Sequence, residues 1–193
     1  MKGNTRQRIL ETGAEIIHLK GFNHTGIQEI LKAAGVPKGS FYNYFKSKED
    51  FGLQVIDYFE GFFASLSREI VEDTTISPLT RIKRLLKTFM AFFESKDFTY
   101  GCPIGNLSQE MGDLSPSFQV RLKQAMDALV DTYTGMIVEA QEHGEISKQL
   151  DSREAGSFLV SSWQGALIRM KIEINAEPLE NHYTMIFKYF LKP

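Results

Sequence analysis

The sequence predicts an all-α protein of about nine helices, with a three-helix N-terminal head and a larger helical body. Apolar residues recur at three- and four-residue spacing along most of the chain, which is typical of helices with one buried face. Glycines and prolines interrupt this pattern where helix ends are expected. No stretch alternates apolar and polar residues for long enough to indicate a strand.

The N-terminal stretch predicts two helices in succession. Apolar spacing places the first over residues 5–20. Thr25 is expected to cap the second through a capping box with Gln28. Gly35 then supplies the left-handed residue that closes this helix.

A third short helix is expected from Pro37, which suits a first helical turn, and it buries Phe41 and Phe45. Helices two and three therefore form a helix-turn-helix. The polar side has one cation with hydroxyl and amide groups, and residues 38–48 contain no carboxylate. This composition suits phosphates and base edges, whereas the competing interpretation is a hairpin with a solvated polar face. The candidate DNA-binding residues are Thr25, Lys38, Gly39, Ser40, Tyr42, Asn43, Tyr44 and Lys48.

The run AGVPKGSFYNYFKSK resembles the DNA-binding domain of the TetR family of bacterial regulators. The family pattern is A-G-V-x-x-G-[ST]-[FL]-Y-x-[YH]-F-x-x-K. The matching residues are Ala34, Gly35, Val36, Gly39, Ser40, Phe41, Tyr42, Tyr44, Phe45 and Lys48. The resemblance implies a DNA-binding domain over residues 1–48 and an effector-sensing and dimerisation domain over residues 49–193.

The remaining helices are predicted from apolar stripes and from their caps. They cover residues 47–72, 79–94, 103–112, 115–143 and 151–175, and a last one opens at Pro178. Ser47, Ser115 and Asp151 are the expected caps, and Pro103 starts the sixth helix.

Charge and cysteine content restrict the functional class. Residues 1–50 carry eight Lys/Arg against five Asp/Glu, while the whole chain has a net charge of −2. A basic end and an acidic remainder suit a DNA-binding head on a separate body. A single cysteine, no signal-peptide pattern and no long apolar run indicate a cytoplasmic protein that does not enter a membrane.

Aromatic residues and Met in the body are candidates for an effector pocket. The TetR resemblance implies a pocket for a small apolar or aromatic ligand in this region. Plain core packing is the other interpretation of the same stripe. The candidate lining residues are Phe63, Phe89, Phe93, Tyr133, Met136 and Trp163.

Cys102 is the candidate sensor because it directly precedes Pro103, where a helix N-terminus favours the thiolate. The alternative is an inert, buried thiol. The segment GCPIGNLSQEMGDLS resembles the N-ethylmaleimide reductase repressor branch of the TetR family, which senses electrophiles and oxidants through cysteine. That resemblance also implies Lys171 as a neighbour of Cys102, whereas the alternative is a surface lysine with its stem packed along apolar residues. One cysteine excludes a two-cysteine disulfide switch within one chain.

The last two helices are expected to form a homodimer interface, as the TetR resemblance implies. Small residues on the eighth helix would allow close approach of a second copy, although packing within the chain is the other interpretation. The candidate interface residues are Gly156, Ser157, Ser161, Gly165 and Phe187.

These observations predict a TetR-type repressor that binds palindromic operator DNA as a dimer. A small ligand, or electrophile or oxidant modification of Cys102, would release it. The chain has no catalytic constellation, no phosphate-binding loop and no histidine pair with metal-ligand spacing, so we expect neither an enzyme nor a cofactor or metal site. The alternative is a helical small-molecule-binding protein or scaffold without specific DNA binding.

Overall fold

The computed structural model describes residues 5–193, and residues 1–4, at the start of the terminus predicted to lack a signal peptide, lie outside the described part. Its helices are α1 (Thr5–Lys20), α2 (Ile27–Ala33), a 3₁₀ helix (Lys38–Asn43), α3 (Lys48–Val71), α4 (Pro78–Glu94), α5 (Pro103–Met111), α6 (Pro116–Glu142), α7 (Ser152–Glu173) and α8 (Glu177–Met185). A π-helical turn, Ile186–Phe190, continues α8. The predicted all-α fold is confirmed, and residues 5–193 contain no strand.

The chain divides into two compact units. The first consists of Met1–Ala64 and Pro103–Ala125, and the second of Ser65–Cys102 and Met126–Pro193. The first unit therefore continues past residue 48, along α3, and includes α5 and the start of α6. The reason is packing around Gly52, where an added Cβ would lie 2.5 Å from both Phe22 and Phe118. Those two rings lie 4.9 Å apart between centroids.

Three phenylalanines form the centre of the N-terminal head. The rings of Phe41, Phe45 and Phe51 lie 4.8–5.5 Å apart and are almost fully buried. Gly13 on α1 lets Phe51 approach, because a Cβ there would lie 2.5 Å from the ring. The predicted burial of Phe41 and Phe45 is therefore confirmed.

Three predicted helix caps are confirmed. Ser47 Oγ accepts the Asp50 N–H at 3.0 Å, and Asp50 in return accepts the Lys46 N–H at 2.9 Å. Ser115 Oγ accepts the Phe118 N–H at 3.4 Å, and Asp151 accepts the Glu154 N–H at 2.8 Å. Each cap satisfies a donor that would have no partner within its helix.

The second unit has its own apolar core, to which α4, α6, α7 and α8 contribute. Its centre includes the side chains of Leu86, Phe93, Ile137, Leu159, Trp163, Met170 and Leu179. The side chain of Arg81 is only 5% exposed and lies inside this unit. It donates to the Val71 carbonyl at 2.9 Å and pairs with Glu139, so the end of α3, α4 and α6 share one buried cation. Among helices of the described residues, none is long and apolar enough to cross a membrane.

His182 on α8 is a buried titratable group. It is 9% exposed, its Nε2 lies 2.9 Å from Ser162 Oγ on α7, and its ring centroid is 5.3 Å from that of Trp163. Burial lowers the pKa of His182 to about 4. The folded state therefore disfavours the imidazolium, which the unfolded chain accepts below its ordinary pKa of about 6.5.

We predict that His182 makes the protein less stable in mild acid. Its contribution is complete above pH 6.5 and is lost as the pH falls from 6.5 towards 4, because the unfolded state binds the extra proton. Between pH 7 and 5, wild type should lose on the order of 1–2 kcal/mol more unfolding free energy than His182→Gln. Denaturant unfolding at both pH values measures this difference. His24→Gln, at an exposed position, is the control, and equal pH dependence in wild type and His182→Gln would contradict the assignment.

Candidate nucleic-acid interface

The 3₁₀ helix Lys38–Asn43, called here the reading segment, follows a tight turn after α2. Gly35 has φ +63°, which confirms the predicted left-handed closure of α2. Pro37 has φ −56° and ψ 145°, so it precedes the segment in an extended conformation and does not form its first helical turn. The expected third α-helix is therefore a single short 3₁₀ helix, stabilised by bonds such as Tyr44 N–H to Phe41 O at 2.9 Å.

The reading segment and its flank expose most of the predicted DNA-binding side chains. Tyr42 is 68% exposed, whereas Ser40 is half-buried. The exposed positions are Lys38, Gly39, Tyr42, Asn43, Tyr44 and Lys46. They combine two cations with hydroxyl and amide groups, and they lie opposite the buried Phe41. Lys46 is a further exposed cation beside the predicted residues.

Thr25 does not have the role that the sequence predicts. It is 0% exposed, and its hydroxyl donates to the Gly21 carbonyl at 2.7 Å. Gly26 occupies the cap position of α2 and makes no side-chain bond there. The predicted capping box is therefore wrong, because the Thr25 hydroxyl bonds to the preceding turn. Its burial also removes this hydroxyl from the surface that DNA could touch.

Lys48 is half-buried and points back into the head. Its ammonium donates to the Phe22 carbonyl at 2.7 Å and lies 4.5 Å from the centroid of the Phe22 ring. Burial lowers the pKa of Lys48, and the nearby Glu110 carboxylate opposes this shift. One of its three N–H donors is thus used inside the protein.

The turn between α1 and α2 receives a contact that sequence reasoning missed. Glu110, near the end of α5, accepts the Phe22 N–H at 2.8 Å and the Asn23 N–H at 2.7 Å. Gly21, with φ +88°, brings the turn close, since a Cβ there would lie 3.0 Å from both Glu110 oxygens. A separation of 88 residues leaves no local pattern that could have indicated this contact.

Cys102 and Lys171 are both half-buried. Cys102 directly precedes α5, whose predicted start at Pro103 is confirmed, and it packs against the core of the second unit. Lys171 lies in the last turn of α7. Their predicted proximity stays a prediction.

The predicted pocket residues fall into two groups. Five of them belong to the second unit, and Phe63 lies within the first. Of the five, Phe89 packs against the apolar core of the second unit, and the other four are buried in it: Phe93, Tyr133, Met136 and Trp163. Burial raises the pKa of Tyr133, so its phenol is neutral. A groove of about 440 Å³ lies elsewhere, in the first unit, and none of the six predicted residues lines it. It is bordered by Arg6, Gln7, Leu10, Gln54, Asp57, Tyr58, Gly61 and Phe62.

The predicted interface residues on α7 differ in exposure. Ser157, Ser161 and Gly165 are exposed, and a Cβ at Gly165 would meet nothing within 4 Å. Gly156 instead packs inside the chain, because a Cβ there would lie 2.5 Å from Thr134 Oγ1. We therefore reassign Gly156 to contact with α6. Phe187 is half-buried, with its ring centroid 4.6 Å from that of Tyr183.

Across the described residues, no group of three or more His, Cys, Asp or Glu side chains is arranged to hold a metal ion.

Comparison with known proteins identifies both parts of the chain. Residues 9–55 match the family model described as bacterial regulatory proteins, tetR family. Residues 78–186 match the model described as Tetracyclin repressor-like, C-terminal domain.

Two relatives, and the crystal structure of one of them, align with nearly the whole chain. The HTH-type transcriptional repressor DhaR from Mycobacterium sp. (strain GP1) is 40% identical over 96% of this chain and 92% of its own length. The HTH-type transcriptional repressor NemR from Escherichia coli (strain K12) is 31% identical over 92% of this chain and 89% of its own. The crystal structure of reduced E. coli NemR has a TM-score of 0.87, with 27% identity, and covers 98% of this chain and 100% of that one.

The crystal structure of regulatory protein TetR from Rhodobacter sphaeroides has a TM-score of 0.90 and 34% identity. The alignment covers 97% of this chain and 98% of that chain. With both family models matched and the helix-turn-helix in place, this chain belongs to the TetR family of bacterial transcriptional regulators, which are DNA-binding proteins and not enzymes.

Proposed function

We propose that this protein is a homodimeric repressor that binds palindromic operator DNA and is released by an electrophile, an oxidant or a small ligand. The observation that carries the DNA-binding part is the reading segment. Its buried side fixes it to the head through Phe41, and its exposed side offers Lys38, Tyr42 and Asn43 to solvent. This surface contains donors for phosphate and for base edges, and no carboxylate to repel the duplex.

Exposure suggests a division of roles among these side chains. Tyr42 and Tyr44 place hydroxyls where phosphate oxygens could accept them, and Lys38 and Lys46 add positive charge. Asn43 and the half-buried Ser40 are the proposed base contacts. Gly39, with nothing within 4 Å of an added Cβ, leaves room for a close backbone approach to phosphate.

Selection from random duplex DNA tests this function directly. We expect the wild type to enrich a palindrome whose half-sites lie about one helical turn, roughly 34–36 Å, apart or a multiple of it. Sedimentation should show a dimer on that duplex. Absence of any enriched sequence at low salt would favour the alternative, a helical small-molecule-binding protein or scaffold.

Lys46 and Lys48 should both contribute to phosphate binding, but only Lys48 should also support the head. Substitution of either lysine by Ala should weaken binding to every duplex and flatten the logarithmic salt dependence by about one. Lys48→Ala should in addition lower the melting temperature, because the Phe22 carbonyl loses the shorter of its two hydrogen bonds and keeps only that from the Thr25 N–H. Binding titrations at several salt concentrations, with thermal melts, measure both effects. A changed sequence preference with an intact salt dependence in Lys48→Ala would contradict the phosphate role.

An apolar and small-residue seam on α7 supports the homodimer. Its exposed residues follow the alternating three- and four-residue spacing of helices that pack against a partner helix. They are Phe158, Ser161, Gly165, Ile168 and Ile172. Met185 and Tyr189, beyond the seam, are also more than half exposed. Large apolar side chains in solvent at this spacing indicate a surface that association covers.

Gly165→Arg should therefore produce a monomer at micromolar concentration. The new side chain would meet its own symmetry mate near the middle of the seam, and the two charges would repel. Gly135→Arg is the matched control, because Gly135 is an exposed helical glycine on α6 with nothing within 4 Å of an added Cβ. Sedimentation velocity distinguishes the two species. A dimeric Gly165→Arg variant would place the interface elsewhere.

Cys102 is the proposed sensor. It is half-buried, so a small reagent can reach it, and it occupies the residue before the first turn of α5. In the proposed reaction the Cys102 thiol loses its proton to solvent, and the sulfur forms a bond to a ring carbon of a quinone. The C=C π electron pair moves to the carbonyl oxygen, which takes up a proton from solvent. Lys171 is proposed as the nearby cation that favours the thiolate. The added group would change packing at the edge of the second unit's core, against which Cys102 lies, and this change would lower the affinity for the operator.

We expect methylglyoxal, hypochlorite or a quinone to release wild type from its operator, and Cys102→Ser to bind normally but resist release. Lys171→Ala should react more slowly, whereas Lys148→Ala, an exposed loop lysine, should behave as wild type. Fluorescence anisotropy of labelled operator measures release, and mass spectrometry measures the adduct. If Cys102→Ser is released as readily as wild type, the sensor is not Cys102 and a ligand in the aromatic body is favoured.

A further inference from the structure

The turn between α1 and α2 has no regular secondary structure to satisfy its backbone groups. Its Phe22 and Asn23 N–H groups both point to the carboxylate of Glu110, at 2.8 and 2.7 Å. Two of its carbonyl groups are bonded as well, since Phe22 O accepts from the Lys48 ammonium and Gly21 O accepts from the Thr25 hydroxyl. Glu110 is thus the acceptor from outside the head that binds two donors of this turn.

The turn precedes α2 directly, and α2 leads into the reading segment. Its geometry therefore sets where α2 begins relative to α1. Bonds from N–H groups to an ionised carboxylate are shorter and stronger than bonds between neutral groups. They are also directional, so a displacement of α5 by a fraction of an ångström would weaken both together.

We infer that Glu110 is a positioning residue for DNA recognition, which holds the turn in the conformation from which the reading segment fits the major groove. It touches no DNA itself. Without this contact the head samples further orientations, and its apparent affinity falls in proportion to the fraction that is competent to bind. This inference rests on the proposed DNA binding, whereas the hydrogen bonds of Glu110 to the turn are independent of it.

Two substitutions at one position test the inference with graded effects. Glu110→Gln keeps the shape, but one of its two terminal atoms is an NH₂ group that cannot accept a hydrogen bond. Glu110→Ala removes both acceptors. Gln109→Ala is the matched control, because Gln109 is the exposed neighbour on the same helix. Affinity for the duplex that wild type selects is measured at 10 °C, well below melting, together with melting curves.

We expect Glu110→Ala to bind about tenfold more weakly, Glu110→Gln about threefold more weakly, and Gln109→Ala within about twofold of wild type. If Glu110 served stability alone, the folded variants would regain wild-type affinity at 10 °C, and that result would overturn the inference.

Amide hydrogen exchange supplies a second measurement that needs no DNA. Phe22 and Asn23 should exchange faster in both Glu110 variants, while amides within α1 keep their protection. Unchanged protection at Phe22 and Asn23 would contradict the contact itself. Because hydrogen exchange measures the turn in the absence of DNA, it distinguishes a failure of the proposed operator binding from a failure of the Glu110 inference.

Discussion

The burial of three phenylalanine rings makes the DNA-binding surface possible. The reading segment is only six residues long, and a single 3₁₀ helix of that length has too few hydrogen bonds to persist alone. Phe41 fixes it by packing against Phe45 and Phe51, and Gly13 admits Phe51 to α1. Because one side is held by apolar contact, the other side can consist almost entirely of polar groups at no cost to the fold. Tyr42 and Asn43 can therefore be exposed because the neighbouring Phe41 is buried.

A second constraint concerns backbone groups in the turn before α2. Folded proteins rarely leave such groups unpaired where water has limited access. Here the Glu110 carboxylate accepts from the Phe22 N–H, and the Lys48 ammonium donates to the Phe22 carbonyl. The same requirement explains why Lys48, which matches the lysine of the family pattern, is partly withdrawn from solvent. Its internal bond uses one N–H donor and leaves two for the proposed phosphate contact.

Sequence reasoning succeeded where the determining interactions are local. Ser47, Ser115 and Asp151 cap their helices because each acceptor lies three residues before its donor, a distance that sequence shows. Phe41 and Phe45 were predictable from helical spacing. The predicted capping box at Thr25 was wrong because the Thr25 hydroxyl bonds to the Gly21 carbonyl instead, and only the folded turn brings that carbonyl near. The contact of Glu110 with the turn could not be predicted from the sequence, because its two partners lie 87 and 88 residues earlier. The 3₁₀ geometry after Pro37 likewise depends on ψ 145° at that proline, which spacing does not specify.

The arrangement of the second unit bears on how a signal could enter it. Phe93, Tyr133, Met136 and Trp163 are buried side chains of its core, so a ligand that contacts them has to reach groups closed off from solvent. Cys102 lies at the margin of the same core and remains half-buried. A covalent bond formed there needs no existing cavity, because bond formation itself supplies the free energy that rearranges the neighbours. A covalent bond to Cys102, as proposed, would therefore act on this core from its margin.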